Sequence, residues 1–168
     1  FSEGTIDAIF HLAALPRVQF SILHPRRTNE TNIGLTLKML EFARKHRIQR
    51  FVFSSSSSVY GGGGSQTALN EGMATHPMSP YALQKLTSEH YCELYHTIHG
   101  LETVSLRYFN VYGPGQNPEG DYAVMIPKFI NKVLHGKIPV IYGDGEQTRD
   151  FTYIHDIVEA TIMAGTCS

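Results

Sequence analysis

The sequence predicts an α/β fold, a doubly wound parallel sheet, and three observations carry that expectation. Short apolar runs alternate with amphipathic helical segments along the chain. The runs lack the in-out alternation of half-exposed strands, so they read as strands buried on both faces, which is the pattern of a parallel sheet covered by helices. The 168 residues are 42% hydrophobic and 17% charged, enough apolar material for one globular core.

Residues 6–12 read as the first strand, filled by Ile9, Phe10 and Leu12 and closed by the small Ala13 and Ala14. A helix is predicted over 28–46, where Ile33, Leu37, Leu40 and Ala43 recur three or four apart. Gly34 inside it costs about 1 kcal/mol against alanine, so a close neighbour is expected there. Residues 50–54 form a second strand and run into the serines at 54–58. After a loop through 61–64 and Pro77, Pro80 opens a helix over 81–99 that stops at Gly100. A strand at 103–108, a helix at 126–134, a short fourth strand at 139–142 and a helix starting at 158 complete the order. Ligands of such sheets bind beyond the carboxyl ends of the strands. Ala13 and Ala14, the serines at 54–58, and Phe109 with Asn110 sit at those ends and are expected to line one cleft.

Composition removes several classes of function. Fourteen Lys and Arg against fifteen Asp and Glu leave a net charge of −1, with no general attraction for nucleic acid or an anionic membrane. No apolar run approaches the roughly 18–20 residues of a bilayer span, and no signal peptide is visible. Cys92 and Cys167 form no C-x-x-C pair, so free thiols in a reducing, cytoplasmic setting are expected. His90, Cys92, His96 and His99 do not share one helical face, so no metal site is expected. The chain opens on Phe1, almost directly on a strand, as a piece of a longer protein would.

The chemistry-bearing residues are Tyr81 and Lys85, one helical turn apart on the same face. A phenol with a reference pKa of about 10 is a poor base at neutral pH, and an ammonium within a few Å favours its ionised form. A hydroxyl from a strand end can then bind the oxygen whose proton moves. Alone, Y-x-x-x-K also fits an ordinary surface helix, and a serine run also fits a solvated turn.

Together with the rest of the chain, these segments form a recognisable series. They are F-H-L-A-A at 10–14, Asn32 and Thr36 in a loosened N-x-x-G-T-L, S-S-S-S-S-V-Y-G at 54–61 and S-P-Y-A-x-x-K at 79–85. R-Y-F-N-V-Y-G-P at 107–114 and Y-G-D-G-E-Q-T-R-D-F at 142–151 continue it. The series resembles the extended short-chain dehydrogenase/reductase family, and within it the nucleotide-sugar epimerases acting on UDP-glucose or UDP-N-acetylglucosamine. The resemblance implies a partial Rossmann-like sheet over 1–168, with segments of a substrate domain around 113–150. It implies a catalytic set of Ser56, Tyr81 and Lys85, with NAD as cofactor. Leu12, Ala13, Ala14, Asn32, Ser54, Ser55 and Phe109 are the implied further cofactor contacts, beside Tyr81 and Lys85. Ser56, Asn110, Tyr142 and Arg149 are the implied contacts to a UDP-sugar, Arg149 reaching the diphosphate as a guanidinium can. A homodimer through the helices near 28–46 and 81–99 is implied as well.

Related 4,6-dehydratases carry carboxylates directly before the V-Y-G triplet, to serve as acid and base in elimination. Here those positions are Ser57 and Ser58, which favours epimerisation at carbon 4 over dehydration. Asn110 favours hexose over glucuronate substrates. The family's opening strand, its G-x-x-G-x-x-G loop and most of its substrate domain have no counterpart in these residues. Residues 6–12 are therefore expected at an exposed, apolar sheet edge. An inactive remnant, serving as a scaffold or dimerisation module, is the alternative to an enzyme.

Overall fold

The computed structural model describes residues 6–61, 68–118, 125–141, 143–146 and 148–167. The chain forms two compact units, one of Phe1–Tyr108 with Thr161–Ser168 and one of Phe109–Ala160.

The first unit is built on a parallel sheet of three strands, β1 (Ala8–His11), β2 (Arg50–Ser56) and β3 (Glu102–Tyr108), in the order β1-β2-β3. Ile9 pairs with Phe51 and Phe53 with Ser105, so all three strands end on the same side. Two short helices, α1 (Val18–Leu23) and α2 (Pro25–Asn29), follow β1. A π-turn at Glu30–Gly34 then leads into α3 (Leu35–Lys45), and α4 (Pro80–His99) crosses from β2 to β3. Leu40 and Ala43 of α3, Phe51 and Phe53 of β2, and Cys92 and Tyr95 of α4 form one buried cluster. Burying each of those phenylalanines contributes about 2–3 kcal/mol. Cys92 lies in that cluster and Cys167 is exposed; neither is in a disulfide.

The helix predicted over 28–46 begins earlier, at Pro25, and carries the π-turn in its middle. Leu40 and Ala43 are buried as the apolar spacing requires, with Ile33 and Leu37 half-buried. The close neighbour expected at Gly34 is not there: a Cβ at that position would meet nothing within 4 Å. Asn32 within this wider turn and Thr36 just after it are both buried. Pro80 does open α4, whose Ser79 hydroxyl accepts from Ala82 N at 3.1 Å, and Gly100 closes it at φ +69°.

After β2 the chain makes a 3₁₀ turn, Ser57–Tyr60, closed by Gly61 at φ +90° and ψ −165°. That backbone region is open essentially to glycine alone. A Cβ on Gly61 would also stand 2.4 Å from the His76 carbonyl oxygen. Gly61→Ala is therefore expected to cost about 3 kcal/mol from strain and overpacking together. A urea midpoint unchanged from that of the parent chain would contradict this.

In the second unit, β4 (Asn110–Tyr112) and β5 (Phe151–Tyr153) pair in parallel, Asn110 opposite Phe151. α5 (Met125–Leu134) lies between them in sequence, and α6 (Ile154–Thr166) follows β5. The strand predicted at 139–142 is absent over 139–141, and β4 pairs with 151–153. No described helix is long and apolar enough to cross a membrane.

Candidate active site

Strand β2 carries its serines to the end of the sheet, and α4 returns across that end. Lys85, only 4% exposed, donates to the Ser54 carbonyl oxygen at 2.6 Å. Its ammonium stands 4.8 Å from the centre of the Phe53 ring and 5.9 Å from that of Tyr81. Tyr81 is buried, and the Ser56 side chain beside its phenol acts to lower its pKa. Ser56 also caps the 3₁₀ turn, accepting from Ser58 N at 3.2 Å and from the Ser58 hydroxyl at 2.9 Å. Ser56, Tyr81 and Lys85 thus meet at one strand end, with a second hydroxyl pointed at the first.

Burial governs the electrostatics. It lowers the Lys85 ammonium to about 8 and pushes the Tyr81 phenol above its ordinary range, against the pull of the Ser56 side chain. The expectation that Lys85 would lower Tyr81 does not hold here. Desolvation of the phenol is the larger effect, and the ammonium is turned to the Ser54 carbonyl.

The implied cofactor-side residues divide. Leu12 and Ala13 are exposed beyond β1, and Ala14 is half-buried. Asn32 is buried and already engaged: its Oδ1 accepts from Leu15 N at 2.7 Å, and its Nδ2 donates to Leu15 O at 3.2 Å and Gln84 Oε1 at 2.8 Å. It fastens the turn after β1 to the helix that carries Lys85. Ser55 donates its hydroxyl to Glu89 of α4. Phe109, Asn110 and Arg149 belong to the second unit. There Asn110 donates to the Asp150 carbonyl at 3.0 Å, and β4–β5 pairing sets it opposite Phe151, two residues past Arg149. Arg149 donates to the Thr148 carbonyl at 2.6 Å. Tyr142 lies outside the described residues.

Sequence reading missed the supports around this set. Arg107 grips Glu89 with Nε at 3.0 Å from Oε1 and Nη2 at 2.7 Å from Oε2, and its Nη1 donates to the Tyr60 hydroxyl at 2.9 Å. The one signal for it was Glu89, four residues past Lys85 and so one turn along the same face.

His11 is the second such support. Thr36 gives its only hydroxyl proton to Asn32 O at 2.6 Å, so His11 Nε2 must donate to Thr36 Oγ1 at 3.0 Å. Burial, and then the Lys85 charge, lower His11 to about 4. Between about pH 6.5 and 4 the unfolded chain therefore binds a proton that the fold does not, and stability falls as pH falls through that window. The loss is about 3 kcal/mol in all. His11→Asn should flatten the urea midpoint against pH between 6.5 and 4; an unchanged slope would contradict the assignment.

The arrangement is a hydroxyl, a phenol and a buried ammonium gathered at the carboxyl end of a parallel strand, suited to moving a proton on and off a bound alcohol. The model of the NAD dependent epimerase/dehydratase family matches residues 1–167. A solved UDP-N-acetylglucosamine 4-epimerase from Methanobrevibacter ruminantium M1, in complex with UDP-N-acetylmuramic acid, is 46% identical. It superposes with a TM-score of 0.90 over 95% of this chain and 51% of its own. The UDP-glucose 4-epimerase of Thermus thermophilus, solved with NAD, is 35% identical with a TM-score of 0.88, over 97% of this chain and 54% of its own. A curated dTDP-D-glucose 4,6-dehydratase of Dictyostelium discoideum is 34% identical over 95% of this chain and 38% of its own length. The chain spans about half the length of the first curated relatives it matches. With residues 1–167 matched by the family model and a parallel sheet of the same build, this chain belongs to the NAD dependent epimerase/dehydratase family.

Proposed function

We propose that the chain supplies the catalytic set of an NAD-dependent UDP-sugar 4-epimerase that works through a transient 4-keto sugar. The observation that carries this reading is Ser56, Tyr81 and Lys85 gathered at the end of β2, with serines at 57 and 58. Elimination of water needs an acid and a base near the sugar, and a serine hydroxyl is a poor donor for that task.

The donor set suits the ribose end of a dinucleotide. Among the described residues Ser54 O is the one hydrogen-bond acceptor of Lys85, so two of its three N–H donors remain for ligand hydroxyls. Leu12, Ala13 and Ala14 leave a small-residue margin beside it. When bound, NAD supplies a reversible hydride acceptor. Tyr81, as its phenolate, takes the proton of the 4-hydroxyl and returns it once the keto sugar has presented its other face. Ser56 holds that oxygen during the transfer, and the Lys85 charge favours the phenolate that accepts the proton. Asn110, Arg149 and Tyr142 hold the nucleotide-sugar, Arg149 by paired bonds to its diphosphate. Leu83, Leu94 and Ile98 stand exposed on α4, which with the helix near 28–46 is the surface through which we propose a homodimer; sedimentation tests it.

Titration calorimetry of the 168-residue chain with NAD tests the reading. Uptake that Lys85→Met weakens about tenfold or more supports it. No uptake by the parent chain would leave a scaffold or dimerisation module in its place.

A further inference from the structure

The backbone of Tyr81 is held from outside its own helix. Tyr81 is the second residue of α4, so its N–H has no acceptor within the helix. The Ser79 hydroxyl serves Ala82 N, and the first bond of the helical ladder runs from Leu83 N to Ser79 O. Tyr81 N donates instead to the hydroxyl of Ser21, at 3.0 Å and sixty residues away in sequence. Ser21 is fully buried and gives its own proton to Val18 O at 2.6 Å, which turns its lone pairs toward α4. A second bridge crosses the same gap one turn on, from Gln84 Nε2 to Thr28 Oγ1 at 2.9 Å, and it serves a side chain rather than the Tyr81 backbone.

We propose that Ser21 is a positioning residue for Tyr81, fixing the first turn of α4 so that the phenol meets the Ser56 hydroxyl. This rests on Tyr81 as the working phenol of the proposed function. Without the Ser21 acceptor, the N-terminal turn has no fixed point at Tyr81, and the ring moves away from Ser56 and toward water. A residue that merely filled space at position 21 would change stability and leave the phenol where it is.

The test is a pH titration of the chain labelled at tyrosine Cζ, followed by nuclear magnetic resonance, with the Tyr81 signal assigned from Tyr81→Phe. It needs neither cofactor nor substrate, so it succeeds or fails independently of the epimerase reading. In Ser21→Ala the Tyr81 resonance should shift, and its titration midpoint should fall toward that of a free phenol. The resonances of Tyr95 and Tyr108 should stay in place. Ser21→Cys, which keeps the volume but offers a weaker acceptor, should give a smaller change in the same direction, and it serves alone if the alanine variant does not fold. Thr28→Val should lower stability and leave the Tyr81 signal unmoved. A Tyr81 titration unchanged in the Ser21 variants would overturn the proposal. So would an equal change in Thr28→Val, which would mark a general loosening.

Discussion

On the proposed function, Tyr81→Phe is expected to lower epimerase turnover about a thousandfold or more while leaving the fold intact. The substitution removes one oxygen from a buried ring and keeps its packing. General acid–base groups contribute about 10²–10⁴ in rate, and here the same group must both take and return the proton. Stability should fall by only about 1 kcal/mol, the typical net worth of one hydroxyl's polar interactions. Affinity for NAD should change by less than about threefold, because the phenylalanine keeps the ring and Lys85 keeps its ammonium. A loss confined to turnover is thus the signature of the assigned role. Near-full activity in this variant would remove Tyr81 from the mechanism.

Glu89→Ala is expected to destabilise the chain strongly. The carboxylate takes three nitrogen contacts from Arg107, between 2.7 and 3.2 Å, and a further bond from the Ser55 hydroxyl. The two side chains are only 21% and 10% exposed, so removing one leaves the other charged and poorly solvated. Breaking a fully buried pair costs about 3–5 kcal/mol; the residual solvent at Arg107 places this one near the lower end, about 3 kcal/mol. For a chain of this size that is a fall in Tm of about 10 °C. Arg107→Met combined with Glu89→Ala should recover part of the loss, because no charge is then stranded. A double variant as unstable as the sum of the singles would show that the two act separately. Tyr60 and Ser55 flank Ser56 in sequence, so the single variant should also depress turnover.

The local signals in the sequence were strong wherever one residue sets one feature. Pro80 and Gly100 bound α4 because one is suited to a first helical turn and the other to a left-handed cap. The Tyr81 and Lys85 spacing placed both on the face that meets the β2 end. The π-turn at Glu30–Gly34 was not legible, because its cause is tertiary. Asn32 turns inward to meet Leu15 and Gln84, 17 and 52 residues away, and Thr36 to meet His11, 25 residues away. β4 and β5 are three residues each, too short for a period-two pattern to register. The raised Tyr81 phenol was missed for a related reason. Spacing reports that a lysine is near, but not that the phenol is buried deeply enough for desolvation to raise it.

The most direct test of the epimerase reading is product analysis of the 168-residue chain incubated with NAD and UDP-glucose deuterated at carbon 4, with UDP-N-acetylglucosamine in parallel. Because Tyr81 would return the hydroxyl proton while the carbon-bound hydrogen stays within the site, the account predicts a 4-epimer that retains its deuterium. A 6-deoxy-4-keto product, or an epimer whose deuterium has exchanged with solvent, would contradict it.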